Sequence, residues 1–336
     1  MGYKNLLLIL LVFTVSTFSE STSVYDTAMQ LLITQNYTAS QTVLKKRLKK
    51  YPNDIQARYL SFAVEQTRIL DYESYIVEQK NFQTMADSTR VIFEKQIVTL
   101  SGLDSTICLF YLANVFGGIG VMQAKTGNWF EGVRNAVTSV SMLKQVKERQ
   151  SDFYAADLGL GIFNYYLSTS LKWLPFVGNK EQEGLDAIEL ALQADFPYNY
   201  AAKNSLCWIL IERENFRRAD SIAQSVLKDY PDNTIFLRIK ALIALWSGKY
   251  ITALHYGKHL VDLTEKRQPL NWSDLAAGYT ILVKGAYELG RVSEACQAAN
   301  IFLNKKYPSQ FLKIPHIKKN IKYIKNIRQD CHRKRK

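Results

Sequence analysis

AAKNSLCWILIERENFRRADSIAQSVLKDYP, residues 201–231, is the stretch that decides the fold. Its first half carries Leu206, Cys207 and Leu210 at helical spacing, so one face is apolar. Asn215-Phe216 turns the chain, and a second helix follows with Ala219, Ala223 and Val226 facing inward. Pro231 stops it, because proline has no N–H to give and clashes with the preceding turn. Small residues at the crossing let two helix backbones approach closely in antiparallel packing. The unit is a helical hairpin.

The unit recurs. A small residue followed by Tyr-Pro twelve or thirteen positions later also appears from Ser40 to Pro52 and from Ala295 to Pro308. Gly248-Lys249-Tyr250 with Ala253, Gly257 and Leu260 is another copy, as is Gly290-Arg291-Val292 with Ala295, Ala299 and Phe302. Gly127-Asn128-Trp129 with Gly132, Ala136 and Ser139 is a further turn and second helix, and Asn36-Tyr37 with Ser40, Leu44 and Leu48 is the first. Residues 55–101 are helical in pattern but atypical, with long charged helices and no glycine turn. The pattern resembles the tetratricopeptide (TPR) repeat, and the resemblance spans most of the chain beyond its N-terminal segment. It implies an all-α fold, a right-handed helical-hairpin solenoid of about six to seven hairpins.

Residues 154–197 break the rule, because LKWLPFVGNKEQ intervenes between the two helices of their hairpin. Gly159, Gly161, Phe163, Asn164, Leu167, Ser168, Phe176, Gly178, Lys180, Gly184 and Leu185 resemble the signature of tetratricopeptide-repeat family 39. That family includes the fungal inclusion-body-clearance protein and uncharacterised bacterial exported proteins. The link between the two halves of the motif is shorter here and lacks the family's double proline. The resemblance brings no catalytic residue with it.

The ends of the chain have their own character. Lys4, the apolar run Leu6 to Val15 and the small residues Ser16, Thr17 and Ser19 read as an export signal over residues 1–19. The run is shorter than the ~20 residues a membrane span needs, and no cysteine follows it to carry a lipid. No later segment reads as a span, so the expected location is periplasmic or secreted. The solenoid is expected over residues 20–312 and a basic capping helix and tail over 313–336. That tail holds ten Lys/Arg against Asp330, so +9 of the net +13 belongs to it. Ile314, Ile317, Ile321, Ile324 and Ile327 form a helical stripe suited to capping the last hairpin, and the lysines suit an anionic surface. Nucleic acid is disfavoured by export. Of the four cysteines, Cys207 and Cys296 stand where the repeat needs small residues and read as buried free thiols. Cys331, in the tail, stays open to a bridge.

Nothing in the sequence calls for an enzyme, a cofactor or a metal. His255 and His259 share a helix face but have no third ligand, and repeat register puts them outside. Gly117-Gly118-Ile119-Gly120 lies inside a helix, where a phosphate would find no free N–H groups, so close packing explains it. Asp152, Asp157, Glu212 and Glu214 read as ordinary surface or paired carboxylates. The concave face is where a TPR array binds. Register places Asn204, Trp208 and Glu212 there from one hairpin, Arg238 and Trp246 from the next, and Lys284 and Glu288 from the last. The expected function is an exported scaffold that holds a protein or peptide partner in this groove, with envelope assembly as its setting. The other reading is a carrier of an apolar ligand near the 169–180 insertion, at Leu171, Trp173, Leu174 and Phe176. Asn36-Tyr-Thr and Asn271-Trp-Ser also fit glycosylation acceptors.

Overall fold

A computed structural model describes residues 24–170, 179–195 and 197–333. The export segment and the insertion residues Leu171, Trp173, Leu174 and Phe176 lie outside them. Helices α1 (24–33) and α2 (Tyr37–Lys50) form the first hairpin. α3 (Ile55–Asp71) with α4 (Tyr75–Ile97), and α5 (Gly102–Lys125) with α6 (Trp129–Arg149), form the next two. α7 (Tyr154–Ser170) pairs with α8 (Glu181–Leu190), α9 (Tyr198–Glu212) with α10 (Phe216–Asp229), and α11 (Thr234–Trp246) with α12 (Tyr250–Glu265). α13 (Trp272–Glu288) and α14 (Val292–Leu303) make the seventh, and α15 (Pro315–Arg333) lies beyond it. No strand occurs among the described residues. The molecule is an all-α, TPR-like solenoid.

The hairpins form for the reasons their residues supply. In α9 and α10 the Cys207 thiol donates to the Ala219 carbonyl at 3.5 Å, and both residues are fully buried. Glycine is obligatory where helices cross most closely. A Cβ at Gly120 would sit 2.8 Å from the Gly132 carbonyl oxygen, and one at Gly161 would sit 2.6 Å from that of Gly184. The glycine run of α5 and two glycines of the 154–197 motif are therefore packing devices.

The turns share one construction. In hairpins one, two, three, five, six and seven the second residue after the first helix has positive φ: Gln35, Glu73, Gly127, Glu214, Gly248 and Gly290. The amide of the residue after it reaches back five positions, as in Asn36 N–H to Leu31 O at 2.8 Å and Asn215 N–H to Leu210 O at 2.8 Å. This is the Schellman closure, which satisfies carbonyls that a helix end leaves open. Asn36 and Asn215 then cap the second helix by accepting from the amides of Ala39 and Arg218.

Two expectations are corrected. Cys296 is not a free thiol: it is bonded to Cys331, with 6.0 Å between the Cα atoms, and Cys331 is buried. The bridge ties α15 to α14, and Ile314, Ile317, Ile321, Ile324 and Ile327 are buried beneath α15. A later segment does read as a span, since α5 is long and apolar enough to cross a membrane (mean hydropathy 1.6). Yet 67% of that stretch is buried, the environment of a core helix. The two ends of the array are also in contact. Buried residues of α1–α5 and of α13–α15 belong to one continuous core. The two ends meet.

Candidate functional site

The meeting of the ends is polar at its centre. Asn233 and Asn271 sit at the starts of α11 and α13, where their side-chain oxygens accept from Phe236 and from Ser273 and Asp274 amides. Each then uses its side-chain amide to hold the other end of the chain. Asn233 Nδ2 donates to the Ile33 carbonyl at 2.7 Å, and Asn271 Nδ2 donates to the Asp71 carbonyl at 3.2 Å. Gln35, the positive-φ residue of the first turn, is equally committed. Its Nε2 donates to Asp71 Oδ2 and Thr234 Oγ1, both at 3.0 Å, and its Oε1 accepts from the Thr234 amide at 3.0 Å and from Arg267 at 2.5 Å. Thr234 Oγ1 donates to Asp274 Oδ2 at 2.7 Å, and Arg238 donates to Asp274 Oδ1 at 3.0 Å. A second contact lies alongside, where His316 of α15 pairs with Glu73 at 2.9 Å.

Burial governs the acid–base character of this cluster. Asp71 is 5% exposed, and loss of water together with the Asp274 charge pushes its carboxyl up to about 6. Tyr37, which donates to Asp71 Oδ2 at 2.8 Å, is held well above its usual value by burial and by that carboxylate. Burial opposes the Arg238 charge, but Asp274, Glu73 and Asp71 hold the guanidinium firmly protonated.

Beside the closure lies a cavity of about 330 Å³. One wall is α9, where Tyr198, Ala201, Asn204 and Trp208 recur at helical spacing, extended by Ile235 and Arg238 of α11. The opposite wall is α3, from Tyr59 through Ala63 and Gln66 to Asp71, with Leu32 and Ile33 of α1. Arg238 lies over the Trp208 ring at 6.0 Å. Three buried polar atoms on these walls make no hydrogen bond with any described residue: Asp71 Oδ1, Asn204 Oδ1 and Arg238 Nε. The surface is thus mainly apolar and aromatic, and these three polar atoms are closed off within its walls.

Of the seven groove residues expected from the repeat register, the structure brings Asn204, Trp208 and Arg238 to this cavity. Glu212, Trp246, Lys284 and Glu288 do not line it. Glu212, Trp246 and Glu288 are exposed, and Lys284 is half-buried on α13. His259 lies 3.3 Å from Asp232 and His255 is exposed. Asp157 is a buried carboxylate paired with Lys147 at 2.7 Å. Asn271 is fully buried within the closure, so the acceptor reading of Asn271-Trp-Ser fails for the folded chain. The α3 wall escaped sequence reasoning altogether. Asp71 ends a helix in the atypical second hairpin and gives no local sign of facing Arg238.

No protein-family model matches the chain, and no curated protein matches it. Solved structures similar to it include that of PilW, described as a widely conserved type IV pilus biogenesis factor. It is 15% identical with TM-score 0.42, covering 86% of this chain and 95% of that one. A tetratricopeptide repeat protein from Parabacteroides merdae ATCC 43184 is 10% identical with TM-score 0.41, covering 90% and 98%. The hairpin register and the Schellman turns define this chain as a TPR-like helical-repeat protein.

Proposed function

We propose that the chain is an exported, non-enzymatic scaffold that binds a protein partner by taking one end or one anchor side chain of it into the α3/α9 cavity. The observation that carries this is the cavity itself: aromatic and aliphatic walls with a few polar side chains among them, here Gln66, Thr67 and Asn204, are what binding sites offer. Trp208 and Arg238 are the residue types that serve most often as binding anchors. Its size suits one or two residues of a partner rather than a long groove-filling segment. Export is supported by the Lys4 and Leu6–Val15 pattern and by the Cys296–Cys331 bridge, since such bonds persist in oxidising compartments. Lys318, Lys319, Lys322 and Lys325, all exposed on α15, suit attachment to an anionic surface.

The test is a photo-crosslinking residue at position 67, on the cavity wall, in the native host. The expected result is a discrete crosslinked partner that disappears with Trp208→Ala and persists with Trp246→Ala. A partner retained equally by both variants, with helicity intact, would remove the cavity from the interaction.

A further inference from the structure

We infer that one edge of the molecule seats on an anionic lipid bilayer. Trp129 and Phe130 enter the headgroup layer, and the lysines of α15 face the lipid phosphates. This rests on the surface attachment proposed for α15 and is independent of the α3/α9 cavity. The apolar half of the surface is the turn of hairpin three. α6 opens on Trp129 and Phe130, which are 66% and 92% exposed. Val133 and Val137 follow three and seven positions after Phe130, so they continue one helix face, and both are more than half exposed. The opposite face of α6, with Gly132, Ser139 and Leu143, is already buried. A single exposed apolar residue is ordinary, whereas a run of them on one helix end marks a contact.

The charged half is α15. Its outer face shows Lys318, Lys319, Lys322 and Lys325, all exposed and none in an ion pair with a described residue. Of the nearby acids, Glu73 is engaged by His316 and Asp330 by Arg333, while Glu288, near Tyr323, offsets part of the charge. At the tip of hairpin three Glu131 is matched by Arg134 at 2.5 Å, and Lys125 stays exposed. Both halves border the turn of hairpin two. His316 reaches Glu73, and Ser74 and Val77 line a cavity of about 210 Å³ together with Phe311 and Ile314. On the other side of that turn, Lys125 Nζ lies 5.2 Å from the centre of the Tyr75 ring. A soluble polyanion would satisfy the lysines and leave Trp129 and Phe130 in water. An apolar groove on a protein would take the aromatics and leave the lysines unmatched. An anionic bilayer offers phosphates with an apolar layer just beneath, and its headgroup region is where tryptophan sits best. The isoleucines of α15 are buried against the protein, so this helix contributes charge without insertion and salt should reverse the attachment.

The test is co-sedimentation of the chain lacking residues 1–19 with vesicles of phosphatidylcholine, alone or with about one-third phosphatidylglycerol, and with soluble polyphosphate as a separate probe. The anionic vesicles are expected to bind about tenfold more tightly or better than the neutral ones, and to be released as salt rises from about 0.05 M to about 0.5 M. Lys318→Gln, Lys319→Gln, Lys322→Gln and Lys325→Gln together are expected to weaken binding about tenfold or more. Phe130→Ser, at a position whose side chain lies outside the core, is expected to weaken it about fivefold. Brominated lipid is expected to quench the tryptophan fluorescence, and Trp129→Phe to remove most of that quenching. Equal affinity for neutral and anionic vesicles, no binding to either, or full affinity in Phe130→Ser overturns the inference. Binding of polyphosphate without binding of vesicles also overturns it and assigns the lysines to a soluble polyanion. The position 67 crosslink reads the cavity separately. Its persistence without vesicle binding strikes this inference alone, and its loss with vesicle binding intact strikes the partner site alone.

Discussion

Asp71 shows most clearly how one residue carries energy and chemistry together. Its folded carboxyl titrates near about 6, above the ~3.9 of an unfolded chain. Between those values the native state holds more protons than the unfolded state, so the stability Asp71 contributes is fullest below pH ~4 and is lost as pH rises through about 6. Asp71→Asn, which stays neutral, is therefore expected to gain on the wild type between about pH 5 and pH 8, by on the order of 1–3 kcal/mol. Thermal melts of both proteins across that range check it, and a constant difference would contradict it. The turn residues give a second prediction. Glu214 is exposed at φ 58, so Glu214→Gly is expected to stabilise by about 1 kcal/mol through relief of the left-handed backbone. Gln35 has nearly the same φ but bonds Asp71, Thr234 and Arg267, so Gln35→Gly is expected to destabilise. Denaturant midpoints should move in opposite directions. Asn204, Trp208 and Arg238 were legible in the sequence because register fixes which side of a first helix they occupy. Asp71 was not, because its partners lie far away along the chain.

At the scale of the element, most of the hairpins were legible, since each is specified by residues within about 50 positions of one another. Small residues at the crossings, a left-handed residue at the turn and Tyr-Pro at the stop are all local signals. Gly161→Ala should therefore be costly. Its Cβ would meet the Gly184 carbonyl at 2.6 Å and Ile188, and neither backbone can retreat without parting α7 from α8. A loss of roughly 1–3 kcal/mol is expected in equilibrium unfolding, as for other overpacked cores. The bridge was only half legible. Cys331 was open to pairing, but Cys296 fitted a packing position so well that a thiol explained it. The last turn of α15 brings Cys331 onto α14, and that required knowing how the cap lies. Cys331→Ser is expected to cost roughly 3–4 kcal/mol, from the 35-residue separation it closes. Equal melting temperatures of the variant and the wild type under non-reducing conditions would contradict it.

At the scale of the molecule, the solenoid was legible and its closure was not. Repeat arrays are ordinarily held by neighbour contacts alone, so their stability is nearly additive along the chain. Here Asn233, Thr234, Arg267 and Asn271 grip residues 33–71, at separations of 199 to 232 positions. No local pattern announces such contacts, because asparagine at a helix start reads simply as a cap. The closure should make the two ends cooperative. Thr234→Val is expected to raise amide exchange in α1 and α3 as well as in α11, whereas an open array would confine the change to the mutated hairpin and its neighbours.

That closure also sets the order of events at birth. Ribosomes release Asp71 and Asn204 long before Arg267, Asn271 and His316 exist, and contacts of such span are the slowest to form. The early hairpins can coil locally, but the chamber they help to wall has only Asn233 and Thr234 as far anchors until Arg267 and Asn271 arrive. A chain ending at residue 265 would hold every wall residue of the cavity and still lack Arg267 and Asn271. Full closure of the ring is thereby coupled to completeness, and a prematurely terminated copy would hold its two ends together by the Asn233 and Thr234 contacts alone.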